Sequence, residues 1–233
     1  MPFCVYVYIL TDAWSAVIHQ GLRFTHEAQR VVLRFKPGQR GGLHVKSCAG
    51  ILCRVSVKKG FVMSITLHSA SVPVFTQFLG NLRHLLVKAQ ADVAARGYDE
   101  QALVQYRLAP DMLPFKTQIC IACDAAKLCA ARIGGLEAPK YENTENTLAE
   151  LIERIDNTVA WLQTVPASAI DGQEGKDITF PVGKTATRTL SAEAYLKTWA
   201  LPNMFFHITT AYAILRHNGV VIGKGDYLMG AAA

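Results

Sequence analysis

The strongest constraint on the fold is a set of apolar stripes with helical spacing that begins after Met63. Such spacing places the side chains on one face of an α-helix. We expect Ser69 or Ser71 to cap the first helix, and Gly97 to end it after about Arg96. The apolar residues of its stripe are Val72, Phe75, Phe78, Leu79, Leu82, Leu85, Leu86 and Ala89.

Two further long helices are predicted in the middle of the chain. Asp111 is a favourable N-cap for the second, and Gly134-Gly135 is a favourable stop. Thr147 and Glu150 have the spacing of a capping box at the start of the third. The stripe of this third helix comprises Leu148, Leu151, Ile152, Ile155, Val159 and Leu162.

The last part of the chain combines a short hairpin with a fourth long helix. Residues 178–180 and 187–190 are rich in strand-forming side chains and flank a turn at Gly183. Pro202 is a suitable first residue for the last helix, and Asn218-Gly219 is a stop signal. The predicted fold is therefore all-α, a four-helix bundle with a small β-hairpin inserted before the last long helix.

The net charge of +6 is unevenly distributed along the chain. Residues 1–62 contain 9 Lys and Arg against 2 Asp and Glu, whereas residues 63–233 contain 15 against 16. We predict that residues 63–233 form the working domain. Residues 1–62 are then a basic, poorly ordered extension or a start-site artefact, with an organelle-targeting leader as the alternative. Within them, residues 55–62 have a strand-like composition but no evident partner strand.

The composition also limits the partners and the compartment. No apolar run approaches the roughly 20 residues that a membrane-spanning helix needs. Six cysteines without a signal peptide favour a reducing, cytoplasmic location. A domain with a net charge of −1 offers little to a nucleic acid, which requires a basic face. We therefore expect neither a membrane nor a nucleic acid as a partner.

Several short motifs have structural rather than catalytic interpretations. Cys120 and Cys123 form a C-x-x-C pair, but no second pair completes a zinc site, so these residues and Cys129 are expected to pack in the core. Gly183-Lys184 and Gly223-Lys224 each fail the spacing of a phosphate-binding loop and are predicted to be turns.

Two polar residues in apolar surroundings are the best candidates for a functional site. His207 lies in a helix that is apolar on most sides, and Gln118 lies in an apolar stripe that it shares with Asp111. One interpretation is an amide–imidazole hydrogen bond that fixes the register of the two helices. The other is a small polar pocket inside the bundle. His217 lies ten residues, about 15 Å, after His207, so the two cannot bind one metal ion.

Four segments together resemble a domain-of-unknown-function family in the DinB/YfiT-like superfamily of metalloenzyme-like four-helix bundles. The resemblance spans about residues 63–230, and its segments are residues 69–75, 108–114, 121–127 and 207–220. Members of this superfamily are often dimeric. The resemblance therefore implies a homodimer.

The resemblance also implies a metal site, which this sequence matches only in part. Better-known members hold a divalent metal with three histidines, and some activate a low-molecular-weight thiol there. The corresponding positions are Gln118, Asn203 and His207. Carboxamides are weaker ligands than imidazole for zinc or nickel, so the resemblance implies a degenerate metal pocket.

Three functional hypotheses follow. The first is a protein that binds a small molecule or acts as a thiol-type transferase. His207 and Tyr212 would be catalytic, with His207 titrating near neutrality as ligand or general base. Asp111, Gln118 and His217 would line the substrate pocket. The second is a non-enzymatic homodimeric interaction protein, and the third is a nucleic-acid-binding helical protein.

Overall fold

The computed structural model describes residues 43–46, 52–55, 65–183 and 185–232. The chain divides into two units, Met1–Met63 and Ser64–Ala233. In the first unit, strands β1 (Leu43–Lys46) and β2 (Leu52–Val55) pair antiparallel. Val55 is the last residue of β2, which pairs with β1. The rest of the strand predicted over residues 55–62 lies outside the described residues. The interpretation of residues 1–62 as an extension stays a prediction.

The second unit is a bundle of four long helices, as predicted. α3 packs mainly against α7 and α4, α1 packs against α4, and α1 also contacts α8. The apolar stripes of the long helices meet in one core. In chain order the helices of this unit are α1 (Val72–Arg96), α2 (Gln101–Val104), α3 (Phe115–Gly134), α4 (Leu148–Gln163), α5 (Ala167–Ile170), α6 (Ala192–Tyr195), α7 (Leu201–His217) and α8 (Lys224–Met229).

The first helix has the predicted length but not the predicted cap. Gly97 follows its last residue with φ +66°, a left-handed conformation that glycine adopts without strain. Ser71 precedes the helix, but its hydroxyl donates to the Leu67 carbonyl at 2.7 Å and caps no helical N–H. The predicted side-chain cap is therefore wrong, because the hydroxyl stabilises the preceding turn.

Helix α3 begins later than predicted. Asp111 lies in an exposed turn, and the helix starts at Phe115 directly after Pro114. Proline disfavours the helical conformation in the residue before it, so Leu113 cannot continue a helix begun at Asp111. At the other end the prediction is confirmed, since α3 ends at Gly134 and Gly135 has φ +65°.

The capping box of α4 is confirmed in both directions. The Thr147 hydroxyl accepts from the Glu150 backbone N–H at 3.2 Å, and the Glu150 carboxylate accepts from the Thr147 N–H at 3.1 Å. Two otherwise unsatisfied donors at the helix start are paired in this way.

The β-hairpin before the last long helix is also confirmed. Strands β3 (Asp177–Val182) and β4 (Ala186–Ser191) pair antiparallel, with Ile178 opposite Leu190. Its turn contains Gly183, at φ +63°. The hairpin buries Ile178 and Phe180 against the bundle.

The last long helix is continuous with helical residues that precede it. α6 continues into a π-helical turn, Leu196–Ala200, and then into α7. Pro202 has no N–H and therefore donates no hydrogen bond to the carbonyl four residues earlier. In the turn before it, the N–H of Leu201 donates to the Leu196 carbonyl, five residues back. Pro202 thus lies within a longer helical segment.

The segment after α7 contains a short helix where a turn was expected. Gly223 precedes α8, and Lys224 is its first residue. The Asp226 carboxylate accepts from the Gly223 N–H at 2.7 Å, which satisfies a donor at the start of the helix. The prediction of a turn at Gly223-Lys224 is therefore wrong for Lys224.

The three cysteines of α3 pack in the core as predicted. Cys120, Cys123 and Cys129 are free and buried. Burial raises the pKa of Cys120 to about 11 and that of Cys123 to about 12, so both thiols are protonated at neutral pH.

Within the described residues, no helix combines the length and the apolar character that crossing a membrane requires.

Candidate functional site

Gln118 and His207 meet in the interface between α3 and α7. Both are buried, with 2% and 8% of their surfaces exposed. Nδ1 of His207 lies 2.6 Å from Oε1 of Gln118, and Nε2 of Gln118 donates to the Leu113 carbonyl at 2.8 Å. The Leu113 bond fixes which end of the amide is the donor, so its oxygen faces the imidazole. Nδ1 of His207 therefore carries the proton and donates to Gln118.

The imidazole of His207 is neutral at physiological pH. Burial lowers its pKa from 6.5 to about 4. The expectation that His207 titrates near neutrality is therefore wrong. Because Nδ1 holds the proton of the neutral ring, Nε2 carries an unshared electron pair.

That electron pair lies in a largely buried ring but is not completely covered. In the described part of the chain, Nε2 of His207 has no hydrogen-bond partner. Among the described residues, the completely buried side-chain N or O atom without a hydrogen-bond partner is Nε of Arg154. Nε2 of His207 also has no partner but is not in this class, so it is not completely buried. Phe206, with 56% of its surface exposed, packs its ring edge-to-face against the imidazole at a centroid distance of 5.3 Å. The acceptor thus lies beside an exposed aromatic ring.

The other predicted site residues do not gather around this pair. Asp111 is in an exposed turn, and His217 is exposed at the end of α7, where its ring lies 5.6 Å from Tyr106. Tyr212 follows His207 by five residues, about 140° around the helix, and its ring packs against Tyr227 of α8. Among the predicted site residues in the described part of the chain, Gln118 and His207 are the pair joined by a hydrogen bond.

The residues at this site do not fit a metal ion. Asn203 lies one turn before His207 on the same face of α7 and is half-buried. The Gln118 oxygen is bound to Nδ1, whereas a metal would bind Nε2 on the other side of the ring. One imidazole and one carboxamide then remain, a weak set for zinc or nickel. Nor do the described residues contain a group of three or more His, Cys, Asp or Glu able to hold a metal ion.

A second polar cluster, which the sequence analysis missed, lies between α3 and α4. Arg154 is 3% exposed and donates to Glu145 at 2.7 Å and to Asp124 at 3.0 Å. Lys127 is 4% exposed, lies 3.0 Å from Asp124 and donates to the Pro139 carbonyl at 2.8 Å. Two buried cations are thus balanced by two carboxylates.

Tyr141 completes this cluster. Its ring centroid lies 3.9 Å from Lys127 Nζ and 4.6 Å from Arg154 Cζ, within the range of cation–π interactions. Burial alone would raise the pKa of Glu145, but the hydrogen bonds that it accepts, above all from Arg154, hold it below its ordinary value. The sequence did contain a signal, since Arg154 follows Leu151 by three residues and so lies on the apolar face of α4.

Two cavities lie on the outer side of α3, away from His207. The larger, of about 460 Å³, is open to solvent and is lined by α3 and the segment 136–141. The smaller, of about 130 Å³, lies beside Cys120 and Glu145. Asp124 lines both, and neither is lined by Gln118, His207 or Tyr212.

Comparisons with known proteins give a consistent family relationship. Residues 67–228 match the model of a domain of unknown function, DUF1993. The chain is also similar to a solved structure, a DinB family member from Shewanella denitrificans. The identity is 37% and the TM-score 0.64, over 70% of this chain and 91% of that one. A search of curated protein sequences finds no match.

Proposed function

The chain belongs to the DUF1993 family of DinB-like domains of unknown function, and on that basis we propose that it is a small-molecule-binding helical bundle. In this proposal the ligand donates a hydrogen bond to Nε2 of His207. The observation that carries it is the neutral imidazole whose Nδ1 proton is committed to Gln118 at 2.6 Å. Such a ring presents a fixed acceptor, because Gln118 sets both its tautomer and its orientation.

The surroundings of Nε2 define the chemistry of the ligand. An acceptor requires a hydroxyl, thiol or amino group in the ligand, and exposed Phe206 favours an apolar or aromatic body next to it. Asn203, half-buried one turn away, adds a carboxamide on the same face. A phenol is the simplest molecule with these features.

Base catalysis and metal-assisted thiol transfer are weaker proposals on this geometry. A general base works best with a pKa near the operating pH, and His207 has a pKa of about 4. A thiol would therefore be bound by Nε2 in its protonated form. Because the donor set does not fit a metal ion, no step through a metal is proposed.

The experiment uses phenol and anisole as a matched pair of probes, since anisole has the same ring without the hydroxyl hydrogen. The ¹⁵N resonances of the imidazole are followed by NMR in the full chain. We expect phenol to shift Nε2 of His207 saturably and anisole to leave it unchanged. Equal responses, or no response up to about 20 mM phenol, would overturn the proposal, since even millimolar affinity would be visible.

A matched variant separates binding from folding. His207→Asn places an amide N–H where Nδ1 was, so the hydrogen bond to Gln118 is retained while the acceptor at Nε2 is lost. We expect this variant to fold and to lose the response of neighbouring backbone amides to phenol. A variant that still responds would also contradict the proposal.

The second candidate is a non-enzymatic interaction protein in which the same pair only fixes helix register. The observation favouring it is that the hydrogen bond joins α3 to α7, two helices with extensive mutual packing. Absence of any phenol response would support this candidate over the first. The homodimer and the cytoplasmic location stay predictions.

A further inference from the structure

The larger cavity has the dimensions of a ligand site, although neither the motifs nor the family relationship points to it. Its volume of about 460 Å³ falls within the roughly 300–1,000 Å³ typical of small-molecule sites. Part of its lining is apolar, from Leu128 and Ala131 of α3 and from Leu136 and Pro139 of the segment that follows. It can therefore receive an apolar body.

The charges around this cavity favour an anion. Lys127 and Arg154 are balanced by Asp124 and Glu145, so the buried cluster is neutral. The remaining charged residues of the lining are Arg132, Lys140 and Glu137, which leave one positive charge in excess. A negatively charged ligand would neutralise this excess positive charge.

Arg132 is the side chain best suited to hold such an anion. Its one side-chain hydrogen bond among the described residues runs from NH1 to the Tyr195 hydroxyl at 2.7 Å, and it forms no ion pair there. A guanidinium has five N–H donors in a planar fork that matches a carboxylate. Arg132 therefore lines the cavity with most of its N–H groups still able to donate hydrogen bonds to a ligand.

The end of α3 nearby does not oppose an anion. The last carbonyls of a helix carry partial negative charge. Here Lys176 Nζ donates to the carbonyls of Arg132 and Ile133 at 3.1 and 2.9 Å. This second cation neutralises the helix end next to Arg132.

We propose that this cavity binds a small organic carboxylate, with the carboxylate on Arg132 and the apolar body against Leu128, Ala131 and Leu136. Asp124 precedes Arg132 by eight residues, about 12 Å along the helix. Because Lys127 and Arg154 are already paired with Asp124, they offer no free charge to a second anionic group, and the far end of the ligand is neutral or donates a hydrogen bond.

The test compares carboxylates with their amides, which have the same shape without the charge. The probes are benzoate with benzamide and 4-phenylbutyrate with 4-phenylbutanamide, followed through the backbone amide resonances of the full chain. We expect a carboxylate to shift residues 131–141 saturably and to bind at least about tenfold more tightly than its amide. Equal affinity within both pairs, shifts confined to other regions, or no binding would overturn the proposal.

Substitutions test whether carboxylate binding depends on the guanidinium of Arg132. Arg132→Gln is expected to weaken carboxylate binding about tenfold or more, whereas Arg216→Gln, at an exposed position of α7, leaves it unchanged. Tyr195→Phe removes the bond to Arg132 but keeps the charge, and should retain binding. If Arg132→Gln does not fold, the carboxylate–amide comparison in the unaltered chain still decides the matter.

The two proposals fail separately. His207→Asn should bind carboxylates normally, and Arg132→Gln should keep the phenol response of His207. Loss of both responses in either variant would show that the substitution disrupted the bundle. The comparison of carboxylates with their amides in the unaltered chain would then decide whether the cavity binds a carboxylate.

Discussion

Nδ1 of His207 lies 2.6 Å from the side-chain oxygen of Gln118, which joins α7 to α3 within the core. The other end of the amide is held by the Leu113 carbonyl. A chain of donors and acceptors therefore runs from the backbone before α3 to the imidazole of α7. Such a buried network stabilises one alignment of the helices, because any slip leaves a polar group without a partner.

Replacing Gln118 should destabilise the fold. Gln118→Leu keeps most of the volume but leaves the Nδ1 proton of His207 and the Leu113 carbonyl without partners. We expect the free energy of unfolding in urea to fall by about 1–3 kcal/mol. Gln163→Leu, at an exposed position of α4, is the control and should change it by less than about 0.5 kcal/mol. Equal effects of the two substitutions would contradict the role of the pair.

His207 should make stability depend on pH in the acid range. Its pKa is about 4 in the folded protein and about 6.5 when unfolded, so the unfolded chain binds the proton first. The contribution is present above pH 6.5 and is lost as the pH falls toward 4, by up to about 3 kcal/mol at 1.36 kcal/mol per pKa unit. Urea unfolding of the unaltered chain and of His207→Asn across this range isolates it. Parallel curves would show that His207 does not titrate in this way.

The buried cluster around Arg154 should be far more sensitive than a surface ion pair. Arg154→Met leaves Asp124 and Glu145 without their shared partner, and we expect a loss of about 3–5 kcal/mol. Arg83→Met breaks the exposed pair with Asp156, which should cost less than about 1 kcal/mol. Comparable losses in urea unfolding would mean that the cluster is hydrated rather than buried.

Asp226 should anchor the C-terminal helix to α1. The Gly223 N–H, Lys88 and His84 all bond its carboxylate and hold its pKa well below the ordinary value. Asp226→Asn should accelerate amide hydrogen exchange in α8 about tenfold, since a charge-assisted bond is worth about 1.5 kcal/mol or more. The exposed Asp177→Asn should have no effect there.

The same anchor has a pH dependence of its own. Because the pKa of Asp226 is lowered on folding, its contribution is present above the ordinary value of 3.8 and is lost as the pH falls below it. Protection of the α8 amides should therefore decrease between about pH 4 and pH 2 in the unaltered chain and stay flat in Asp226→Asn. A flat profile in both would contradict the anchor.

The parts of the fold that follow from local rules were predictable from the sequence. Gly97 and Gly135 end helices because left-handed φ angles cost glycine little, and Thr147 with Glu150 forms its capping box within one turn. The pairing of Gln118 with His207 was one of two interpretations left open. Both residues are polar in apolar stripes, and burial forces such groups to find partners.

Features that depend on competition between neighbours were not predictable. Asp111 is a good cap by type, but Pro114 decides where α3 starts. The role of Arg154 depends on Tyr141 and Glu145, which precede it in a segment without regular secondary structure. The lowered pKa of His207 likewise results from the depth of the surrounding core, which periodicity does not measure.

The π-helical turn Leu196–Ala200 determines the phase of the last helix. A turn closed by a bond to the fifth residue holds one residue more than an α-turn, and one residue corresponds to about 100° of rotation. Without that extra residue, all side chains after Pro202 would rotate by this angle relative to the hairpin and α6. His207 would then point away from Gln118, although composition and periodicity would hardly change. The orientation of the His207 imidazole therefore depends on the length of a five-residue turn that contributes no side chain to the site.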